Sequence, residues 1–270
     1  MKQNRVAYWG PGVTRGGRFS GLLRGMGADE AETARRVRRD RGVIAIELQR
    51  LGARGFEALL VSEENILGSM GANLRQHRLY PALASRLARF RHAFGAGCTR
   101  IGLAIRPLDA YWASALAYGL AAGVARLAPD TAQRLCDQPR SWRHVARDVA
   151  RAFPDSELLV WECTRLRARP NAQYRLLSGG RGTILADSRP HNAAPGRAEL
   201  RALLEERGEH DAASLICAGD GRFMPFDSRQ RESLEWRYQQ DIDWLRERSE
   251  TFATATGRPG GATFQLRGIA

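Results

Sequence analysis

The feature that most constrains this chain is a change of period inside residues 99–120, TRIGLAIRPLDAYWASALAYGL. Ile101, Gly102, Leu103, Ala104 and Ile105 form an unbroken apolar run, the pattern of a strand buried on both faces of a parallel sheet. Arg106 and Pro107 end it. Trp112, Leu116 and Leu120 then recur at four-residue steps behind Asp109, whose carboxylate is suited to accept the first free helix amides. Strand, polar turn, helix is the repeating unit of α/β folds. Their ligands bind outside the carboxyl ends of strands, beside positively polarised helix N-termini. Arg106 stands at that point. With the hydroxyl of Ser114 about two turns on, it is suited to hold an anionic group such as a phosphate monoester. The architectural alternative for the same pair is an arginine capping a sheet edge and a serine packed on a neighbouring helix. Tyr111 and Trp112, close behind Arg106, are candidates to stack on a base, although helical spacing suits Trp112 equally to the core.

The rest of the chain supports one α/β domain over residues 1–250 and a tail over 251–270, since 270 residues with 43% apolar content bury a large core. Residues 29–51 read as an amphipathic helix with Asp29, Glu30 and Glu32 in its first turn and Val37, Ile44 and Leu48 on one face. A short strand, FEALLV, comes next at 56–61 and runs into Ser62-Glu63-Glu64-Asn65. Glu63 or Glu64 is placed to act as a general base toward a substrate hydroxyl, provided its surroundings raise its pKa. Alternatively Ser62 or Asn65 merely caps the next helix. Residues 79–94 form a helix opened by Pro81, with Leu83, Leu87 and Phe90 inward and a row of arginines outward. Further helices are expected at 142–153, 172–177, 198–206 and 229–248, and a third strand at 157–161 after Pro154-Asp155. In the helix over 229–248, Leu234, Tyr238, Ile242 and Leu245 share the inner face.

Charge narrows the partners. Lys+Arg 42 against Asp+Glu 29 gives +13 and a pI near 10.7, which favours anionic ligands. Lys2 is the only lysine, and the arginines are spread over nearly every expected helix, which disfavours a dedicated nucleic-acid patch. Cys98, Cys136, Cys163 and Cys217 are far apart and form no metal-spaced group, so free thiols and no metal are expected. No apolar run approaches the roughly 18 residues of a membrane span and no secretory pattern opens the chain, which predicts a cytoplasmic soluble protein. The five histidines fall on different elements and are expected at the surface. His191, beside Asn192, is the one placed to meet a substrate. Gly12 to Arg18, GVTRGGR, superficially fits a phosphate loop with Arg18 in the lysine position. Pro11 removes an amide, Phe19 cannot replace the hydroxyl ligand, and no preceding strand is expected, so this segment reads as irregular surface.

Arg106-Pro107, Asp109 and Ser114 resemble the strand-to-helix segment with which sulfotransferases bind the 3′-phosphate of 3′-phosphoadenosine-5′-phosphosulfate, where arginine and serine are likewise eight positions apart. The SEEN segment resembles the strand-end glutamate that acts as base in some bacterial and glycan sulfotransferases. The order helix, Phe-Pro, strand, Glu162 is similar too, as, loosely, is Arg258-Pro259-Gly260-Gly261 near the C-terminus. The resemblance implies a helix-rich three-layer α/β/α fold with a short parallel sheet, of the P-loop sulfotransferase kind. It implies transfer of a sulfuryl group from that nucleotide, as co-substrate, to a hydroxyl or amine acceptor. Arg106 and Ser114 would hold the donor, with Glu63 or Glu64 as base. The resemblance spans residues 5–250 and departs at the N-terminus. In sulfotransferases a strand and a Lys, Ser/Gly and Thr loop hold the donor's 5′ side, whereas Val6 to Phe19 resembles the segment beyond the first helix. The expectation is therefore a chain lacking that strand and loop, truncated or non-catalytic, with an unpaired sheet edge. A basic non-catalytic protein that binds nucleic acid or a polyanionic glycan is the competing expectation.

Overall fold

A computed structural model describes residues 5–25, 27–166, 169–180, 194–250 and 263–266. The N-terminal third runs β1 (Val6–Trp9), α1 (Pro11–Val13), α2 (Glu30–Ala53), β2 (Ala58–Val61), α3 (Met70–Arg75) and α4 (Leu83–Phe94). The middle runs β3 (Arg100–Ile105), α5 (Leu108–Ala121), α6 (Thr131–Asp137), α7 (Trp142–Ala152), β4 (Glu157–Glu162), α8 (Cys163–Leu166) and α9 (Pro170–Leu177). The remainder is α10 (Arg197–Glu206), α11 (His210–Ser214), α12 (Ser228–Arg248), β5 (Ser249–Glu250) and β6 (Thr263–Leu266). The result is a helix-rich mixed α/β fold. Among the described residues no helix is long and apolar enough to cross a membrane.

The first βαβ unit starts from a strand that the sequence pattern did not predict. The four-residue piece VAYW, flanked by Arg5 and Gly10, is β1, and it pairs in parallel with β2 from Val6 opposite Ala58 to Trp9 opposite Val61. The expectation that no strand precedes the glycine segment is corrected: only four residues long, β1 is a strand because β2 supplies its ladder partners. Between them, Asp29 caps α2 by accepting the Glu32 amide at 2.5 Å, and Gly55, at φ +80, turns the chain back. Asp40, fully buried on α2, accepts the Ser20 hydroxyl (2.9 Å) and the Gly21 and Leu22 amides (2.6 and 3.1 Å). A Cβ at Gly21 would collide with the α2 backbone at Val37, so only glycine permits this approach. Val37 and Ile44 face inward as their spacing requires, whereas Leu48 is left exposed.

The second unit pairs β3 and β4 in parallel, Arg100 opposite Glu157 and Ile105 opposite Glu162. β4 is buried on both faces: Leu158 and Val160 enter the main core, while Leu159 and Trp161 pack with Leu166 and Leu177 in a smaller cluster. β3 is not buried on both faces as its unbroken apolar run predicted. Leu103 and Ile105 point into the core, and Gly102 and Ala104 lie on an exposed face. At position 102 only glycine fits, because a Cβ there would come within 2.6 Å of the Trp161 ring and 2.7 Å of Leu177.

β4 also pairs antiparallel with β6, and β6 with β5. Residues 263–266, placed in a tail by sequence pattern, therefore complete a sheet. The expected single parallel sheet is instead a two-stranded parallel pair and a four-stranded mixed sheet in the order β3-β4-β6-β5. On β1, the Val6 carbonyl accepts the Tyr174 hydroxyl of α9 at 3.3 Å, so a buried phenol satisfies a strand-edge acceptor.

α5 is the central helix. Leu108, Tyr111, Trp112, Ala115, Leu116 and Leu120 are all buried in it, because α3, α10 and α12 surround it. α12 docks through Leu234, Tyr238, Ile242 and Leu245, as its periodicity predicted, and adds the buried Asp241. That carboxylate accepts the Ser141 hydroxyl (2.6 Å) and the Trp142 amide (2.7 Å), capping α7 from a helix 100 residues away in sequence. α4 begins at Leu83 and not at residue 79, since Tyr80 sits at φ +47 just before Pro81.

Candidate functional site

Three strands, β1, β2 and β3, end in polar segments, and each positions its charged side chains differently. After β1 the chain makes two short helical turns, Pro11–Val13 and Thr14–Arg18, with Gly17 at φ +101. Phe19 then dives into the core, 1% exposed, edge-on to Trp9 (6.3 Å), Phe90 (5.5 Å) and Phe94 (5.9 Å). Its place in the core explains why a ring, and not a hydroxyl, ends the glycine segment. Arg18 is already engaged: its guanidinium lies 5.2 Å from the ring centroid of Trp9, the last residue of β1, and donates to Glu47 at 3.2 Å. A phosphate-loop role for Arg18 is not supported by those partners.

β2 delivers Glu63 and Glu64, and the structure separates the two. The Glu63 side chain is completely buried, whereas 68% of Glu64 is exposed. Glu63 accepts the Thr14 hydroxyl at 2.6 Å, Arg15 at 2.8 and 3.1 Å, and the Asn65 amide at 2.9 Å. Burial pushes its pKa up, but Arg15, Thr14 and the Asn65 amide outweigh that and hold the carboxyl below the usual range. The condition set for Glu63 as a general base, a raised pKa, is therefore not met. It is a carboxylate locked onto the glycine segment. Glu64 meets Arg15 at 2.8 Å, and its exposure leaves it open to a ligand.

β3 delivers Arg106. Its Nη2 donates to the Ser114 hydroxyl at 3.1 Å and to the Ala110 carbonyl at 2.7 Å, which places both side chains on one side of α5. Its own carbonyl accepts the Trp142 indole N–H at 2.7 Å, fixing the turn from α7. The strand before them is parallel to its neighbour, so the pair stands where the sequence placed it. Tyr111 and Trp112, the candidates for stacking on a base, are both buried in the core. Tyr111 accepts Asn73 Nδ2 at 2.6 Å and meets Trp142 edge-on at 5.5 Å.

Between the β2 and β3 ends lies Tyr80, which sequence reasoning missed. Its ring centroid is 6.2 Å from Tyr111 and 6.3 Å from Trp142, its amide donates to the buried Asn73 Oδ1 at 3.0 Å, and its φ is +47. A non-glycine residue in that region is strained, and such strain is held only where surrounding contacts over-determine it. Burial pushes the Tyr80 phenol up, partly offset by its hydrogen bond with Tyr111, and both Glu64 and Arg106 bear on it. Tyr80 is thus within electrostatic reach of both ends. The only sequence signal was a tyrosine preceding a proline, which marks an irregular backbone and no chemistry.

A cavity of about 270 Å³ opens beside it, lined by Arg15, Asn65, Ser69, Tyr80 and Arg86 among others. Arg86 was expected in an outward row of arginines and is instead 5% exposed. It donates to the carbonyls of Arg24 (2.8 Å), Ile66 (3.2 Å), Leu23 (3.4 Å) and Asn65, tying the segment after β1 to the segment after β2. Burial pulls its pKa down to about 10. Helical spacing fixes which face Arg86 occupies. It does not say that backbone carbonyls from two distant loops await it there.

Glu162, at the end of β4, accepts the Tyr238 hydroxyl at 3.2 Å. His144 serves the α7 capping box, and His92 receives Arg41 at 3.1 Å. His191, Asn192 and the Arg258–Gly261 stretch lie outside the described residues. Among the described residues no group of three or more His, Cys, Asp or Glu is gathered for a metal, and the four cysteines are free. No protein-family model, no curated protein and no solved structure matches this chain.

Proposed function

We propose that this chain is a sulfotransferase-like protein of three-layer P-loop type, which binds the 3′-phosphate of 3′-phosphoadenosine-5′-phosphosulfate at Arg106 and Ser114. This reading covers the donor's 3′ side; transfer of the sulfuryl group to a hydroxyl or amine acceptor is what the family resemblance implies, in a chain that lacks the family's 5′-side loop. The observation that carries this reading is the 3.1 Å contact between Arg106 Nη2 and Ser114 Oγ at the carboxyl end of a parallel strand. A guanidinium and a hydroxyl side by side suit a dianionic phosphate. The cavity beside Arg15 and Tyr80 is where an acceptor fits, and exposed Glu64 is the candidate base, with Glu63 serving to hold the glycine segment.

Sulfuryl transfer builds charge on oxygens around sulfur, so cationic donors fixed in place do most of the work, as in phosphoryl transfer. Titration calorimetry with adenosine 3′,5′-bisphosphate tests the reading directly. The wild-type chain binds it, and Arg106→Ala weakens binding by more than about tenfold, the scale of one charge-assisted contact. No binding to the wild type removes the donor site. Indifference to the bisphosphate, with binding to single-stranded DNA or heparin that falls steeply with salt, places the protein in the competing class of basic polyanion binders.

A further inference from the structure

A second cavity, about 370 Å³, shares no lining residue with the one at the strand ends. It lies between α3, the C-terminal half of α5, the connection over residues 123–130 and α6. Its inner wall is core: Leu74, Leu116 and Leu135 are 6%, 1% and 0% exposed. Its rim is cationic, formed by Arg75, Arg126 and Arg134.

The connection that walls the hollow is anchored by hydrogen bonds at each end. The Val124 and Ala125 amides both donate to the Gly119 carbonyl, at 2.8 and 3.0 Å, and Gly123 turns at φ +69. The far end of the connection is pinned where the Ala128 amide meets the Thr131 hydroxyl at 2.9 Å. The connection is thus fixed at both ends. Val124 is 47% exposed at the mouth, with its side chain facing Gly71 of α3. His77, also in the lining, is a non-glycine residue at φ +43, and strain of that kind collects at ligand sites.

The charges are asymmetric as well. Arg134 is paired with Asp130 at 2.8 Å, while Arg75 and Arg126 have no carboxylate partner among the described residues. Burial and the nearby Arg134 hold His77 below its ordinary pKa, so it is a neutral hydrogen-bonding group at neutral pH. Apolar floor, cationic rim and a volume in the small-ligand range together define a complementary shape.

We propose that this cavity binds a small amphipathic anion, a monocarboxylate with an apolar body of about eight carbons. The apolar body lies against Leu74, Leu116 and Leu135, and the carboxylate sits at the rim formed by Arg75 and Arg126. Nothing in this site depends on the donor-site reading. The experiment is titration calorimetry of the full chain with octanoate, 1-octanol and acetate. Octanoate binds, and 1-octanol and acetate bind at least about tenfold more weakly, because each lacks one half of the recognised chemistry. Arg126→Glu weakens octanoate by at least about tenfold, and Val124→Trp, which fills the mouth, does the same. Both positions are exposed, and an unchanged melting temperature shows that the variants are folded. Failure of the wild type to bind octanoate at millimolar concentration overturns the proposal. So does equal affinity for octanoate and 1-octanol, or an octanoate affinity that neither substitution changes.

Discussion

The β2 end and the β3 end of this fold both carry arginine next to polar partners, yet they use it in opposite ways. At the β2 end the charges answer one another: Glu63 is enclosed by Thr14, Arg15 and the Asn65 amide, and Arg15 reaches on to Glu64. At the β3 end the contacts of Arg106 include two neutral oxygens, the Ala110 carbonyl and the Ser114 hydroxyl. A carboxylate facing a guanidinium in a buried setting is a fastening, because separating the two leaves an uncompensated charge. A hydroxyl beside a guanidinium is instead a neutral group that both donates and accepts, so it can turn to an arriving anion. Position at a strand end is therefore not enough to identify a reactive residue. What each charge already faces decides its role.

Removing Glu63 is the strongest way to break the contrast. Glu63→Ala leaves Arg15, Thr14 and the Asn65 amide without their shared acceptor and lowers unfolding stability by about 3 kcal/mol, read from urea titration. A loss below about 1 kcal/mol means that the β2 end is not a fastening. The second effect is on acid stability. With its folded pKa below an unfolded value near 4.3, Glu63 contributes fully above about pH 4.3 and loses that contribution as pH falls through the lower folded pKa. Wild type therefore loses stability between about pH 5 and 3 more steeply than Glu63→Gln does. Parallel acid limbs contradict the assignment.

Smaller changes sharpen the other side. Ser114→Ala lowers affinity for adenosine 3′,5′-bisphosphate about fivefold, the scale of one neutral hydrogen bond, with little change in melting temperature. A serine that only packs gives the reverse pattern. Glu64→Ala changes stability by less than about 0.5 kcal/mol, since its ion pair is exposed. If Glu64→Ala costs as much as Glu63→Ala, the division of labour between the two glutamates is wrong.

Much of the framework is legible in the sequence because secondary structure leaves a periodic trace. The α2 cap at Asp29, the inner face of α12 and the strands β3 and β4 follow from local pattern. Arg106 and Ser114 are legible as a pair for the same reason: eight positions run from the turn just before α5 to about two turns into it, a local geometry. The misses are equally specific. β1 is too short to read alone, the apolar run of β3 suggests burial of positions that are exposed, and Arg86 points in where its charge suggests outward. Tyr80 is invisible as a site residue, because a left-handed backbone at a tyrosine comes from what surrounds it.

The sequence by itself determined the helices, the strand ends and the spacing of Arg106 to Ser114, since hydrophobic period and capping act over a few residues. Only the tertiary structure decided which charges are spent, which sheet each strand joins and which cavities stay open. Arg15 and Glu63 are 48 positions apart, Ser141 and Asp241 100. Burial and electrostatic partnership at that separation depend on how the whole chain closes, and closure leaves no periodic mark in the order of residues.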